Sequence, residues 1–329
     1  MTAKILDGKA LAEEIRREVA VGVAEMQEKH GVTPGLAAVL VGDDPASAIY
    51  VRNKRRACDE AGMVSDTFLL PADATNQQVL DIVAQLNNDP RFHGILVQLP
   101  LPPQVDELAV IESLNPDKDV DGLHPFNVGK LVQGRADFIP GTPFGIQQIL
   151  MRNGHDPAGA NVVVCGRSDI VGKPMALLLM QRADGANATV TVCHTRTKNM
   201  AEVTRQADIL IAAIGSPNVI TADMVKDGAV VIDVGINRVD DASRKRGYRL
   251  VGDVDYEAVA EKASSITPFP GGGGPMTTST LIVTSPFSTR PCIHVRDRRP
   301  PPSNIPPPHS MLRSSRSNPS SLGSDGVFY

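Results

Sequence analysis

The feature that most constrains this chain is a repeated alternation of short apolar runs with longer amphipathic stretches. Gly35 to Gly42 is apolar at every interior position, the pattern of a strand covered on both faces. Pro45 to Gly62 reads as a helix ended by glycine, and Val64 to Leu70 as a second strand. Thr75 to Asn87 then places Val79, Ile82, Val83 and Leu86 on one helical face, and Gly94 to Leu99 reads as a third strand. Strands separated by helices predict an α/β fold: parallel neighbours need a crossover, and the crossover helices cover the sheet.

A second series begins after Asp121. Phe144 to Asn153 reads as a short helix, and Asn161 to Gly166 as a strand. A glycine-containing turn and a helix over Lys173 to Arg182 follow. Ala188 to Cys193, Asp208 to Ile214 and Val230 to Val234 read as further strands, a doubly wound pattern. With 329 residues, the chain is long enough for two domains. The expected division is an α/β substrate and catalytic domain over 1–121, a Rossmann-like dinucleotide domain over 122–277, and a tail over 278–329. From Pro286 onward the sequence is rich in Pro, Ser and Arg and lacks apolar periodicity, so disorder is expected; a polyproline ligand is the alternative reading.

The net charge of -4 and the absence of Trp give no ground for nucleic-acid binding. Cys58, Cys165, Cys193 and Cys292 lie far apart without CxxC spacing, so reduced thiols are expected, with no disulfide or metal site. Met1 to Ala20 carries Leu11, Ile15 and Val19 at helical spacing and no apolar signal-peptide core. No run reaches transmembrane length, and a cytoplasmic protein without membrane contact is expected.

Two places carry chemistry. Gly166-Arg167-Ser168-Asp169-Ile170-Val171-Gly172 occupies the first strand-to-helix turn of the second unit. There glycines admit a pyrophosphate and a helix N-terminus stabilises its charge. Ser168 stands where a second glycine is usual, so a plain tight turn remains an alternative. The next strand ends in His194-Thr195-Arg196-Thr197-Lys198, with no acid to take a ribose 2′-hydroxyl. Thr195, Arg196 and Lys198, with Arg167, suit a 2′-phosphate and hence NADP rather than NAD; a solvated loop is the alternative.

The other place is assembled from separate segments. Tyr50 and Lys54 share a helical face. Gln98 ends a buried strand, where open sheets bind ligands. Asp119 and Asp121 lie in the connection between the two units. Each has an ordinary reading: surface lysine, loop-bonding amide, turn-forming aspartates. Together they supply a ring, an amine, an amide and a carboxylate for a flat heteroaromatic substrate undergoing proton transfer.

These segments carry a resemblance. Ser47 to Lys54, Val97-Gln98-Leu99-Pro100-Leu101-Pro102, Pro116 to Pro125, Gly166-Arg167-Ser168 with Val171 to Pro174, and Asp233 to Asn237 stand in order across residues 3 to 277. The chain resembles the bifunctional methylenetetrahydrofolate dehydrogenase/methenyltetrahydrofolate cyclohydrolase family. The resemblance implies Tyr50 as a stacking platform, Lys54 as the proton-transfer residue positioned by Gln98, and Asp121 on the polar edge of the pterin. It adds Ser47, Pro270, Gly271 and Gly272 to the tetrahydrofolate-binding set. Gly166, Arg167, Ser168, Thr195, Arg196 and Ile236 would bind NADP, in a homodimer.

The chain departs from the family in two ways. Gly273 replaces a valine in the glycine-rich segment Pro270 to Pro275, and Phe269 stands where a small aliphatic is usual. After Thr277 the resemblance stops. Thr278 to Pro286 makes a poor helix where the family continues into an apolar one, as after a reading-frame change, and reduced stability is expected. Two alternatives follow: a dehydrogenase without the hydrolytic step, and a folate- or nucleotide-binding protein without turnover.

Overall fold

The computed structural model describes residues 2–244 and 247–272. The chain begins with β1 (Lys4–Ile5) and α1 (Gly8–His30). The Asp7 carboxylate starts α1 by accepting the N–H groups of Lys9 and Ala10. Leu11, Ile15, Val19 and Val23 form its buried stripe, and Gly31, at φ 65°, ends it in the left-handed conformation. The stripe extends beyond the expected Ala20. Burial of each such side chain stabilises the fold by roughly 1.5–3 kcal/mol.

The first unit continues through β2 (Gly35–Val41), α2 (Pro45–Glu60), β3 (Val64–Leu70), α3 (Asn76–Asn88), β4 (Gly94–Val97) and α4 (Glu107–Ser113). Asp44 caps α2 and Pro45 occupies its first turn; Thr75 and Gln78 form a capping box on α3. The strands make a parallel sheet in the order β3-β2-β4. β4 ends two residues before the expected Leu99. The Gln98 N–H still donates to the Val39 carbonyl at 2.9 Å, but Pro100, two residues on, has no N–H to continue the ladder.

The second unit runs α5 (Pro125–Val132), α6 (Gly141–Arg152), β5 (Asn161–Cys165), α7 (Gly172–Leu179), β6 (Thr189–Cys193), α8 (Met200–Thr204), β7 (Ile209–Ala212), β8 (Val230–Asp233), β9 (Asn237–Asp240), β10 (Tyr248–Val251), α9 (Tyr256–Ala260) and β11 (Ser265–Ile266). Its six-stranded sheet has the order β1-β11-β8-β7-β5-β6, while β9 and β10 form a separate antiparallel pair. The expected alternation of parallel strands and helices is present in both units. α6 begins three residues before the expected Phe144, because Pro143 falls in the first turn, where no N–H is needed.

One connection was not foreseen from the sequence. Lys4–Ile5 pair with Ser265–Ile266, so the chain starts on the edge of the second sheet before crossing to the first. The core reflects this interlocking. Leu36, Ala38 and Leu40 of β2 point into an apolar cluster that also holds Val162 and Val164 of β5 and Ile209 and Ile211 of β7. Ala37, Val39 and Val41 point the other way, into a cluster with Val79, Val83 and Leu86 of α3 and with Ile95 and Val97 of the neighbouring β4. The two sheets therefore share a continuous core, and the loops at their carboxyl ends meet across one cleft.

Cys58, Cys165 and Cys193 are buried free thiols, with Cys165 and Cys193 Sγ atoms 3.3 Å apart. Among the described residues no helix is long and apolar enough to cross a membrane, and no cluster of three potential ligands is placed to hold a metal ion. Cys292, Gly273 to Thr277 and the tail over 278–329, with the expectations attached to them, lie outside the described residues.

Candidate active site

The cleft contains a cavity of about 310 Å³ where the carboxyl ends of the two sheets meet. α2 contributes Tyr50 and Lys54, β4 runs out into Gln98 and Leu99, and the connection between the units brings in Asp121 and Leu123. The opposite wall is Ile170 and Val171, after β5, and Val234 and Ile236, after β8; Pro140, Gly141 and Thr142 close one end at the start of α6. A cavity at such an edge, apolar with a few convergent polar groups, is the usual form of a small-molecule site.

Lys54 is the centre of the polar side. It is only 7% exposed, and its Nζ donates to Gln98 Oε1 at 3.2 Å. The Gln98 amide is itself oriented, because Nε2 donates to the Leu99 carbonyl at 2.8 Å and so turns Oε1 toward the amine. Burial pulls the Lys54 ammonium below its ordinary pKa, against the opposing charge of Asp121 and a smaller effect of Cys58. Burial pushes the Asp121 carboxyl upward, with Lys54 opposing and Asp119 reinforcing. One turn beyond Lys54, the Cys58 thiol is pushed up to about 12, chiefly by burial, so it stays protonated. Burial also raises the phenol of half-buried Tyr50. Burial thus favours the neutral form of an amine that has one N–H held by Gln98.

Asp119 has a different task. Fully enclosed, it accepts the His124 N–H at 2.8 Å and the Asn127 side-chain amide at 2.9 Å, tying the inter-unit connection to α5. Lys118 anchors the same stretch by donating to the carbonyls of Leu86 and Asp89. The two residues immobilise the segment that carries Asp121 into the cavity.

The cofactor-side residues stand at neighbouring carboxyl ends. Gly166 follows β5 with φ 133°, and a Cβ there would lie 2.0 Å from the Ala213 carbonyl oxygen. Ser168 Oγ accepts the N–H groups of Val171 and Gly172, so the serine folds the turn that a second glycine would otherwise make. After β6, the Thr197 hydroxyl accepts the His194 N–H and His194 Nδ1 accepts the Arg196 N–H, while Thr195, Arg196 and Lys198 are exposed. Glycine at 166 lets the turn pack directly on Ala213, and the Arg167, Arg196 and Lys198 cations suit phosphate groups. These residues therefore fit a phosphorylated dinucleotide.

Tyr50, Lys54, Gln98 and Asp121 share one cavity, and Ile236, which the sequence reading assigned to the cofactor, lines it as well. Gly166, Arg167, Ser168, Thr195 and Arg196 adjoin it at the ends of β5 and β6 without lining it. Ser47 is buried on α2, its N–H donating to Asp44. Gly271 and Gly272 lie against the start of α1, where a Cβ on Gly8 would fall 2.0 Å from the Gly272 carbonyl oxygen, and neither they nor Pro270 line the cavity. Sequence reasoning assigned no site role to the other lining residues, Val97, Leu99, Leu123, Pro140, Gly141, Thr142, Ile170, Val171 and Val234. The one available signal was Pro140-Gly141-Thr142-Pro143, a helix start just after the inter-unit connection.

Fold and site together define a two-domain, dinucleotide-dependent α/β enzyme with a lysine-centred cleft between its sheets. Comparison with known proteins gives the family. Residues 6–121 match the tetrahydrofolate dehydrogenase/cyclohydrolase catalytic domain, and residues 140–287 match the NAD(P)-binding domain of the same family. The bifunctional protein FolD of Prosthecochloris aestuarii is 55% identical over 280 residues, covering 84% of this chain and 95% of that protein. The crystal structure of the Campylobacter jejuni bifunctional enzyme FolD superposes with a TM-score of 0.82 at 44% identity, covering 88% of this chain and 99% of that one. The Trypanosoma brucei FolD structure, complexed with NADP cofactor and inhibitor, gives 0.84 at 37% identity, covering 89% and 99%. The chain belongs to the tetrahydrofolate dehydrogenase/cyclohydrolase family.

Proposed function

We propose that this protein oxidises 5,10-methylenetetrahydrofolate to the 5,10-methenyl cation with NADP and then hydrolyses the cation to 10-formyltetrahydrofolate. The observation that carries the reading is the buried Lys54 amine, held by an oriented Gln98 within one cavity with Tyr50 and Asp121. Bound along Gly166, Arg167, Ser168, Thr195, Arg196 and Ile236, NADP supplies the hydride acceptor. Tyr50 offers its ring for stacking, and Asp121 offers its carboxyl to the polar edge of the pterin. Ser47 and the Pro270-Gly271-Gly272 segment complete the folate side.

The methenyl carbon is already electrophilic, so hydrolysis requires positioning and a path for a proton. The neutral form of Lys54, which burial favours, takes the proton of the attacking water as the C–O bond forms. Lys54 then returns that proton to the ring nitrogen as the carbon–nitrogen bond breaks, while the second proton of the water leaves the carbon-bound hydroxyl for solvent as the formyl C=O forms. Gln98 Oε1 holds one Nζ–H, which aims the lone pair. A homodimer in the cytoplasm, acting on folates without nucleic-acid or membrane partners, completes the proposal.

The test is to supply 5,10-methylenetetrahydrofolate and NADP and follow NADPH and the formyl product together. Both are expected. NADPH without hydrolysis would leave a dehydrogenase alone, and neither product would leave a binding protein. NADP is expected to bind more tightly than NAD; equal or tighter NAD binding would refute the assignment of Arg167, Thr195 and Arg196.

A further inference from the structure

Two loops of the cofactor-side wall hang from one carboxylate that lies outside the cavity. Asp253, just after β10, is fully buried. Its Oδ2 accepts the N–H groups of Ile214 at 2.6 Å and Gly215 at 2.9 Å. Its Oδ1 accepts the Ser216 N–H at 3.1 Å and the Asn237 side-chain amide at 2.8 Å. Ile214 to Ser216 leave the carboxyl end of β7, and Asn237 follows Ile236 beyond β8, so one side chain ties the exits of adjacent strands.

Asp233 at the end of β8 supports this joint. Its Oδ1 accepts the N–H groups of Asp253 at 3.0 Å and Gly235 at 2.9 Å, and its Oδ2 that of Val254 at 3.1 Å. The space is shaped around the two carboxylates. A Cβ on Gly235 would lie 2.0 Å from Asp253 Oδ1, and one on Gly252 1.8 Å from Asp233 Oδ2. Gly235 separates Val234 from Ile236, both on the cavity wall, and Ala213, just before Ile214, packs on the Gly166 turn. Tyr50, Lys54, Gln98 and Asp121 are not among the partners of either carboxylate.

We propose that Asp253 is a positioning residue for the NADP-dependent step, fixing the loop after β7 against the loop after β8 without touching cofactor or substrate. Four donors converge on one dehydrated carboxylate. No neutral side chain of that size accepts all four, so the loops depend on its charge and shape together. The inference rests on the proposed two-step function, which itself offers an internal control: hydrolysis uses the Lys54 side of the cleft and needs no dinucleotide.

Asp253→Asn keeps the shape but turns an amide N–H₂ toward two of the four donors. NADP binding by equilibrium titration without folate is expected to weaken at least tenfold, with a matching rise in KM for NADP. Cyclohydrolase kcat/KM is expected to stay within threefold. Unchanged NADP affinity, or equal loss of both activities, would overturn the proposal. Asn237→Ala removes one of the four donors and serves if the first variant does not fold. It is expected to weaken NADP two- to fivefold at unchanged hydrolysis, and unaltered NADP affinity there also counts against Asp253. A wild-type protein that performs neither reaction defeats the functional reading and this inference with it. A wild type that performs both, with variants identical to it, defeats only the inference.

Discussion

Gln98→Leu isolates the orientation of the proposed base. Leucine has a similar size, so the cavity keeps its shape, but two hydrogen bonds go: Lys54 Nζ to Oε1 at 3.2 Å and Nε2 to the Leu99 carbonyl at 2.8 Å. A hydrogen bond to a charged or partly charged group is worth about 1.5–3 kcal/mol net. If that interaction is realised while Lys54 takes the proton, the loss converts at about 1.4 kcal/mol per decade into roughly a 10- to 150-fold fall in cyclohydrolase kcat. The assay is the disappearance of methenyl absorbance at saturating substrate, beside an NADP titration that should not change. Gln98→Glu gives the opposite electrostatic test. A carboxylate beside Lys54 holds the ammonium form, so kcat should fall at neutral pH and recover only at higher pH. A Gln98→Leu rate within twofold of wild type, or NADP binding lost in parallel, would refute the idea that this amide aims the lysine.

Asp121→Ala should weaken folate binding far more than NADP binding, since Asp121 lines the cavity and is not part of the β5 or β6 turn; separate titrations of the two ligands check this. Gly166→Ala should impair NADP binding and destabilise the fold. The new Cβ would meet the Ala213 carbonyl oxygen at 2.0 Å in a conformation that side chains rarely adopt, and thermal melting with a cofactor titration reads both effects. The pH profile of hydrolysis carries a sign. Burial lowers the Lys54 pKa, and the neutral amine is the base, so cyclohydrolase kcat should rise with pH around a midpoint below the ordinary lysine value of 10.5. A rate independent of pH, or one that falls as the lysine deprotonates, would show that the neutral amine is not the working form.

Much of this was legible in the sequence, and what escaped has physical reasons. β2 announced itself because every residue from Gly35 to Val41 is buried, and α1 because its stripe repeats at helical spacing. Lys54, Gln98 and Asp121 each had an ordinary reading alone; only their combination and the family resemblance singled them out, and the structure places them in one cavity. Ile170, Val171 and Val234 were not identifiable, because an apolar residue lining a cavity reads the same as one packed in a core. β1 and β11 are too short for any period to show, and their pairing joins residues at opposite ends of the described chain. Asp253 escaped for a related reason: in sequence it is an aspartate after a strand, and only the fold brings three backbone N–H groups from another loop to it.

The central claim is that Lys54 carries the proton transfer of the hydrolytic step while hydride transfer proceeds without it. The most direct measurement follows NADPH and methenyl absorbance together in the wild type and in Lys54→Ala, starting from 5,10-methylenetetrahydrofolate and NADP. The wild type should form NADPH and pass through to the formyl product. The variant should still form NADPH but accumulate the methenyl cation. Hydrolysis at an unchanged rate in Lys54→Ala would contradict the account.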